Sequence, residues 1–459
     1  MPVQTLSKNQ KLRVGLLSLG CPKTLVDSEL VLGKLDPRRY SLSSTVADCD
    51  IAIVNTCAFI RDAQEESIDQ ILRLVELKKE GEIQKIVVLG CLTQRFLPEL
   101  EKELSEVDAF VGTGEYARIP EILERVSHGE GLAEVGVPGY LYTSAERRVS
   151  LTPNHYRYLK ISEGCDHTCS FCVIPQFRGK HRSRTLEDVV EEARQLVAEG
   201  ARELILTGQD TTFFGYDLKG RFLLPELLRR LNEIPELHWI RILYAYPSLV
   251  TDELVEAVAS LEKVCHYLDM PLQHATDRIL KSMRRGTTQE STRRLIRKLR
   301  ARIPDLAIRT TFIVGFPGET EKEFQELLSF MEEAHFERLG IFTYSREEGS
   351  LAAGLPGQIP ERVKRKRLET GMLLQQKIAR ENNEQLKDKA LEVLIEEEDK
   401  KNGYWLGRTY MDAPEVDGSV VVKTGSQKNG RRLQPGDFVS VRVTASQEYD
   451  LVGTPIFSS

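Results

Sequence analysis

The stretch "YRYLKISEGCDHTCSFC", residues 156–172, decides the fold of this chain. A strand-like run ends at Gly164, and Cys165, Cys169 and Cys172 follow it in a C-x3-C-x2-C array. Three thiolates this close together can bind three corners of a [4Fe–4S] cluster and leave the fourth iron open. An open iron indicates a site for a cofactor or substrate rather than electron storage alone.

A zinc site and a group of buried thiols are the alternatives for this array. Structural zinc generally needs four ligands, and His167 would be an awkward fourth between two of the cysteines. Buried structural thiols are not expected in a loop as polar as this one. The spacing therefore favours the cluster.

Strand-like and helix-like segments alternate after residue 156, and this alternation indicates a parallel sheet covered by helices. Six segments have the composition of strands: "YRYLKIS", "ELILTG", "WIRILYAY", "VCHYLDM", "AIRTTFIV" and "RLGIFTY". Six strand–helix units predict a partial (β/α)6 TIM-like barrel, with its chemistry in the loops that follow the strands.

Three earlier strands each end on or just before a cysteine. "VGLLSLGC" ends at Cys21, "DIAIVNTC" at Cys57 and "KIVVLGC" at Cys91. Near-continuous apolar strands that alternate with helices predict a second parallel sheet, and ligands bind at the carboxyl edge of such sheets. The three cysteines are expected at that edge, where they could converge.

The 459-residue chain, with 41% apolar and 29% charged residues, is long enough for several domains. We predict an N-terminal α/β domain over residues 11–120, a linker over 121–150, the barrel domain over 151–384 and a small all-β barrel over 385–455. No apolar run is long enough to span a bilayer, and the clustered cysteines are typical of metal binding in a reducing compartment. The expected location is the cytoplasm, with no membrane contact. The net charge of −6 argues against a nonspecific nucleic-acid coat.

The C-x3-C-x2-C array, with Phe171 before its last cysteine, resembles the radical S-adenosylmethionine (SAM) superfamily. The resemblance implies that the open iron chelates SAM, whose one-electron cleavage gives a 5′-deoxyadenosyl radical. It also implies cofactor contacts after the second strand and along the fifth. The residues implied as cofactor-binding are Phe171, Thr207, Gly208, Gln209, Arg309 and Val314.

The two cysteine triads together resemble the methylthiotransferase family. This resemblance implies that Cys21, Cys57 and Cys91 hold a second [4Fe–4S] cluster, at which sulfur is held and methylated. It also implies that the C-terminal domain is an OB-like TRAM barrel. Cys49 and Cys265 match no ligand position, and we expect both to be ordinary buried residues.

Several stretches are similar to the branch of this family that methylthiolates the β-carbon of an aspartate in small-subunit ribosomal protein uS12. They are "GCPKTLVDSE" (20–29), "IPQFRGKHRSR" (174–184), "YAYPS" (244–248), "YLDMPLQHA" (267–275) and "DAPEVDG" (412–418). Thr24 stands where the family usually has asparagine. The alternatives are a tRNA adenosine (C2) methylthiotransferase and, less favoured, a zinc-containing ribosome-binding factor.

The charge of the C-terminal barrel agrees with a protein substrate. From Gln385 onward there are ten lysine or arginine residues and twelve aspartate or glutamate residues, whereas a barrel that grips tRNA should be basic. The stretch "RGKHRSR" is the counter-evidence. Its cations could contact RNA, or they could line the cofactor site or pair with acidic side chains.

No side-chain base is expected, because the β C–H of an ionised aspartate is too weakly acidic to be deprotonated. His155, His266 and His274 are therefore expected to make packing or substrate contacts. The resemblance implies two [4Fe–4S] clusters and SAM as both methyl donor and radical source. The implied partners are uS12, free or on the ribosome, an electron donor such as a flavodoxin or ferredoxin, and a sulfur donor, with the enzyme itself a monomer.

Overall fold

The computed structural model describes residues 11–423 and 432–456, so residues 424–431 of the predicted C-terminal domain lie outside the described residues. The chain divides into two compact units. The first comprises residues 11–151, 160–167 and 172–189, and the second comprises residues 152–159, 168–171, 190–423 and 432–456. No helix in these ranges is both long and apolar enough to cross a membrane.

The first unit contains a six-stranded parallel sheet flanked by helices. Its elements in chain order are β1 (Leu12–Ser18), α1 (Pro22–Gly33), β2 (Tyr40–Ser43), β3 (Ile51–Thr56), α2 (Arg61–Glu80), β4 (Lys85–Gly90), α3 (Cys91–Glu103), β5 (Ala109–Val111), α4 (Ile119–Ser127) and β6 (Leu132–Glu134). The strand order is β2-β1-β3-β4-β5-β6, and every neighbouring pair is parallel.

Both faces of this sheet are buried, which is why its central strands are almost continuously apolar. On β3, Ala52 and Val54 pack into one core cluster with residues of α2 and α3. Ile51 and Ile53 point the other way, into a cluster with residues of α1 and α4. The predicted parallel-sheet domain is confirmed.

The two edge strands, β2 and β6, were not expected from the sequence. β6 pairs in parallel with β5, so residues 119–134 form a helix and a strand where the sequence analysis places the end of a domain and a linker. A three-residue strand is too short to show the alternation that identifies longer strands.

The second sheet is built from six strands in the simple order β14-β13-β12-β11-β10-β7, and β10 to β14 pair in parallel. The elements from this part of the chain are β7 (Tyr156–Lys160), β8 (Ser162–Glu163), α5 (Ile174–Arg178), β9 (Arg182–Ser183), α6 (Leu186–Ala198), β10 (Glu203–Thr207), α7 (Tyr216–Lys219), α8 (Leu224–Asn232), β11 (Trp239–Ile242), α9 (Asp252–Ser260), β12 (Val264–Asp269), α10 (Asp277–Ser282), α11 (Gln289–Arg302), β13 (Ala307–Val314), α12 (Glu321–Ala334), β14 (Arg338–Thr343) and α13 (Glu361–Glu384). The six predicted strands are all present, and the partial barrel is confirmed.

The C-terminal part of the second unit is a closed five-stranded barrel. Its strands are β15 (Ala390–Asp399), β16 (Tyr404–Arg408), β17 (Val420–Val422), β18 (Phe438–Ser446) and β19 (Leu451–Pro455), in the order β15-β16-β17-β19-β18. Apolar residues from all five strands fill its interior. The predicted all-β barrel is confirmed.

The "DAPEVDG" loop between β16 and β17 holds the small barrel to the parallel sheet of the same unit. Asp412 accepts a 2.8 Å hydrogen bond from Nε of Arg338, at the start of β14. Asp417 accepts one of 2.8 Å from the Tyr267 hydroxyl and lies 3.3 Å from Nε of Arg309. These carboxylates are buried, so their charge is used inside the protein rather than on its surface.

We predict that Arg338→Met lowers the free energy of unfolding of the second unit by about 3–5 kcal/mol, because it leaves the buried Asp412 carboxylate without its cation. The chain has two tryptophans, Trp239 and Trp405, and both lie in the second unit, so tryptophan fluorescence during urea unfolding measures this change. The double variant with Asp412→Asn removes both charges and should regain most of the loss. Equal losses in the single and double variants would contradict the ion pair's role.

Candidate metal centres

Cys21, Cys57 and Cys91 lie together at the carboxyl edge of the first sheet. Cys21 directly precedes α1, Cys57 directly follows β3, and Cys91 is the first residue of α3, directly after β4. β1, β3 and β4 are neighbours in the sheet, so parallel pairing brings their ends together. The thiols are near enough that Cys21 and Cys57 both contribute to raising the pKa of Cys91.

Two glycines allow the chain to turn sharply into this edge. Gly20 (φ +93°) and Gly90 (φ +106°) adopt a conformation that side-chain-bearing residues rarely adopt. A Cβ atom on Gly20 would lie 2.8 Å from Cβ and 3.1 Å from Sγ of Cys57, and one on Gly90 would lie 2.4 Å from Oδ1 of Asn55. The glycine-cysteine pairs at 20–21 and 90–91 therefore have a steric cause.

The pKa values of the three thiols are shifted in different directions. Burial raises the pKa of Cys57 to about 11 and that of Cys91 to about 12. Burial also opposes ionisation of Cys21, but the charges of Lys23 and Arg178 outweigh it and lower the pKa of Cys21. Three thiols gathered at one mostly buried edge are a donor set that suits an iron–sulfur cluster, and ligation would deprotonate them.

Thr24 occupies the position where the family usually has asparagine. Its Oγ1 lies 3.6 Å from Sγ of Cys21, within range of a weak hydrogen bond to sulfur. Its carbonyl accepts a 3.2 Å hydrogen bond from the side chain of Asn55. The substitution thus retains a polar contact to the cysteine.

Arg178, in α5, contacts Cys91. Its Nε and Nη2 lie 3.2 and 3.0 Å from Sγ of Cys91. Its Nη1 donates to Asp27 of α1 over 2.6 Å. The sequence placed Arg178 in a basic stretch, but contact with a sulfur atom could not be read from it.

Arg182 and Arg184 of the same basic stretch are also engaged internally, whereas Lys180 is exposed. Nη1 of Arg182 donates to the carbonyl of Lys180 over 2.7 Å, while Nε of Arg184 pairs with Asp188 over 2.7 Å. Arg184 is nearly fully buried. These side chains pair with carbonyl and carboxylate groups rather than forming a cationic surface.

The C-x3-C-x2-C loop follows β8. In the first unit, the Cys165 N–H donates a 3.1 Å hydrogen bond to the carbonyl of Gly179. In the second unit, the Ser170 N–H donates to the carbonyl of Met283 over 3.0 Å, and the Ala352 N–H donates to the carbonyl of Ser170 over 2.8 Å. The backbone directly after Cys169 is thereby fixed.

Arg285 contacts Cys169. Nη1 of Arg285 lies 3.5 Å from Sγ of Cys169, and the same guanidinium lies 4.0 Å from the centre of the Tyr246 ring. Its Nη2 donates to the carbonyl of Pro271 over 2.7 Å. Tyr246 and Pro271 belong to the "YAYPS" and "YLDMPLQHA" stretches, so both stretches support the residue beside this cysteine.

Thr207, Gly208, Gln209 and Val314, four of the predicted cofactor residues, lie at the carboxyl ends of β10 and β13. Phe171 packs in a cluster that includes Met283, Phe316 and Tyr344. Thr207 ends β10, and its buried hydroxyl has no hydrogen-bond partner among the described residues. Gly208 and Gln209 follow Thr207, and Val314 ends β13. An unsatisfied hydroxyl at a strand end suits a polar group of a bound cofactor.

Arg309 differs from the other predicted cofactor residues in its surroundings. Its Nη1 donates to Asp269 over 2.9 Å, and its Nε faces Asp417 of the "DAPEVDG" loop. Its contact with a cofactor stays a prediction, and two carboxylates already neutralise its guanidinium.

The three histidines singled out in the sequence are packed or paired with other side chains. His155 is buried with Nε2 3.7 Å from Glu396, and His266 pairs with Asp305 over 2.7 Å. His274 is fully buried, and its Nδ1 accepts a 3.1 Å hydrogen bond from the Thr276 N–H. Cys49 and Cys265 are buried too, and burial raises the pKa of each.

Across residues 11–423 and 432–456, no three or more His, Cys, Asp or Glu side chains are arranged as ligands of a single metal ion. A cubane cluster binds each of its three thiolates through a different iron, so the thiolates lie farther apart than the ligands of one ion. The absence of a single-ion site from the described residues therefore does not bear on the two proposed clusters.

Comparison with known proteins first defines the class. Residues 159–331 match the family model described as "Radical SAM superfamily", residues 389–456 match "TRAM domain", and residues 13–112 match "Uncharacterized protein family UPF0004". The solved structure of the radical SAM methyltransferase TsrM from Kitasatospora setae shares the fold, with a TM-score of 0.54 and 16% identity over 73% of this chain and 75% of TsrM. The chain thus has the fold of a radical SAM enzyme.

Full-length relatives then define the family. The ribosomal protein uS12 methylthiotransferase RimO of Pelotomaculum thermopropionicum is 48% identical over 97% of this chain and 99% of its own length. RimO of Geobacter sulfurreducens has the same identity and coverage. The chain belongs to the RimO family of radical SAM methylthiotransferases, and the expected family is confirmed.

We predict that Gly20→Ala prevents iron binding at Cys21, Cys57 and Cys91, because the added Cβ would lie 2.8 Å from Cβ of Cys57. Iron per chain after anaerobic reconstitution should fall by about four, the content of one cluster. Gly81→Ala is the matched control: Gly81 has φ +82° and nothing within 4 Å of the added Cβ. Each variant carries a backbone cost of roughly 1–2 kcal/mol, so equal iron loss in both would exclude the steric explanation.

Proposed function

We propose that this chain adds a methylthio group to the β-carbon of an aspartate in ribosomal protein uS12. The observation that carries the proposal is 48% identity over 97% of the chain to relatives that bear this name. Membership in the family accounts for both triads: one in the radical domain, the other at the carboxyl edge of the upstream sheet.

As a RimO-family enzyme the chain uses SAM and [4Fe–4S] clusters. In the proposal, Cys165, Cys169 and Cys172 hold the cluster that binds SAM, and Cys21, Cys57 and Cys91 hold the other. When bound, SAM would supply the methyl group and the radical that removes a hydrogen atom from the substrate, and the second cluster would hold the sulfur that replaces that hydrogen.

The chain's own residues position these groups. The hydrogen bonds of Ser170 fix the loop beside Cys169, and Phe171 shields it with apolar surface. The Thr207 hydroxyl is available to a polar group of SAM. His155, His266 and His274 lie in packing or ion-pair surroundings, and the proposed reaction uses hydrogen-atom abstraction instead of a side-chain base.

The charges favour a protein substrate over tRNA. The cations at 178, 182 and 184 in the "RGKHRSR" stretch contact carboxylates, carbonyls or sulfur, which leaves Lys180 as the exposed cation of this stretch. The C-terminal barrel has more acidic than basic residues. Two of its carboxylates, those of Asp412 and Asp417, form buried ion pairs with Arg338 and Arg309. The full-length similarity is the stronger support for uS12.

The proposal includes partners that the reaction needs. An electron donor such as a flavodoxin or ferredoxin would reduce the clusters, and a separate donor would supply sulfur. We propose that the enzyme acts as a monomer in the cytoplasm, on uS12 that is either free or in the ribosome.

Iron content and SAM cleavage test the assignment of the two triads. The chain should hold about eight irons, and replacing either triad with alanines should leave about four. Without Cys165, Cys169 and Cys172 no 5′-deoxyadenosine should form in the presence of dithionite. Without Cys21, Cys57 and Cys91 it should still form, but no methylthio product should. Eight irons retained in either triple variant would overturn the assignment.

Mass spectrometry of a deletion strain tests the substrate. The uS12 protein should lack the mass of one methylthio group in the deletion strain and regain it when the gene is restored, whereas tRNA adenosines should be unaffected. An unchanged uS12 with unmodified tRNA would replace our proposal with the tRNA alternative.

A further inference from the structure

The side chains beside Cys91 form a buried charge network within the first unit. Asp27 of α1, Lys160 at the end of β7, Glu163 of β8 and Arg178 of α5 are its members. Their side chains are 1%, 3%, 7% and 4% exposed. Two cations and two carboxylates balance, so the network tolerates burial.

The network fixes the orientation of Arg178. Lys160 pairs with Asp27 and donates to Glu163 over 2.8 Å, so both carboxylates are held in place. Nη1 of Arg178 lies 2.6 Å from Asp27 and 3.4 Å from Glu163. With one side of the guanidinium anchored there, its opposite edge cannot swing away.

That opposite edge faces a sulfur atom. Nε and Nη2 of Arg178 lie 3.2 and 3.0 Å from Sγ of Cys91, so two N–H groups of one rigid fork converge on a single acceptor. Hydrogen bonds from a cation to an ionised acceptor are about twice as strong as neutral ones. A lysine could carry the charge, but it lacks the flat edge that makes two such bonds.

We propose that Arg178 is a positioning residue that orients Cys91 for ligation and raises the reduction potential of the cluster held by Cys21, Cys57 and Cys91. The inference rests on the proposed function, which supplies that cluster. Reduction adds one electron to the cluster and makes its sulfur ligands more negative. Donors to a ligand sulfur therefore stabilise the reduced form more than the oxidised form.

The test measures the potential of this cluster by itself. The full-length chain with Cys165→Ala, Cys169→Ala and Cys172→Ala is reconstituted anaerobically, and its one remaining cluster is reduced stepwise with dithionite while electron paramagnetic resonance reports the reduced form. In this background, Arg178→Met should shift the equilibrium about tenfold toward the oxidised form, which lowers a one-electron potential by about 59 mV. Arg178→Lys should lie between Arg178→Met and the parent.

Asp27 provides the variants that separate charge from folding. Arg178→Met combined with Asp27→Asn removes one cation and one carboxylate, so the network stays neutral, and the potential should still fall. Asp27→Asn alone should raise it, because the guanidinium then keeps its sulfur contacts with less compensation. Arg184→Met is the matched control: Arg184 is buried in the same segment and donates to the backbone carbonyl of Lys160, but its charge pairs with Asp188, so the potential should equal that of the parent.

The outcomes are distinct. An unchanged potential in the balanced double variant, with four irons bound, would overturn the role of Arg178. If Arg178→Met binds no iron, Arg178→Lys decides: a lowered potential supports the role, and an unchanged one refutes it. A parent without iron at Cys21, Cys57 and Cys91 would instead show that the proposed function is wrong at this centre.

Discussion

The first unit depends on one geometric constraint: parallel strands that are neighbours in a sheet end at the same edge. Cys21, Cys57 and Cys91 lie 34 to 70 residues apart in the chain, yet β1, β3 and β4 bring them to one edge. The sheet is formed by apolar burial on both faces, so the energy that gathers the ligands comes from the core. The sheet edge also requires glycine at positions 20 and 90, because only a residue without Cβ can turn there without colliding with its neighbours.

A second constraint is that charge taken into the protein must be balanced where it lies. Asp27 and Glu163 balance Lys160 and Arg178 in the first unit. In the second unit, Glu203 pairs with Arg241 over 2.6 Å and with Arg408 over 2.7 Å, and these side chains are almost fully buried. A guanidinium also lies against one sulfur in each cysteine triad: Arg178 beside Cys91, Arg285 beside Cys169. Arginine suits both tasks, because one side of its fork can bind an anchor while another side faces the ligand.

Sequence patterns predicted the strands and the ligand edge because these follow from local apolar periodicity. The same patterns could not predict β2 and β6, whose four and three residues are too short to show a period. They also could not predict the partners of Arg178 or Asp412, because a charged residue in a motif carries no mark of the distant side chain it pairs with. Thr207 was named by resemblance, and its lack of a hydrogen-bond partner became visible only in the fold.

Two of the stretches that resemble the protein-modifying branch make internal contacts. In "DAPEVDG", Asp412 and Asp417 hold the small barrel to Arg338 and Arg309. In "IPQFRGKHRSR", Arg178 contacts Cys91 and Asp27. Substitution of Asp412, Asp417 or Arg178 would therefore unbalance a buried charge. Because these three charges are neutralised inside the protein, the stretches that carry the resemblance do not by themselves locate the surface that binds a substrate.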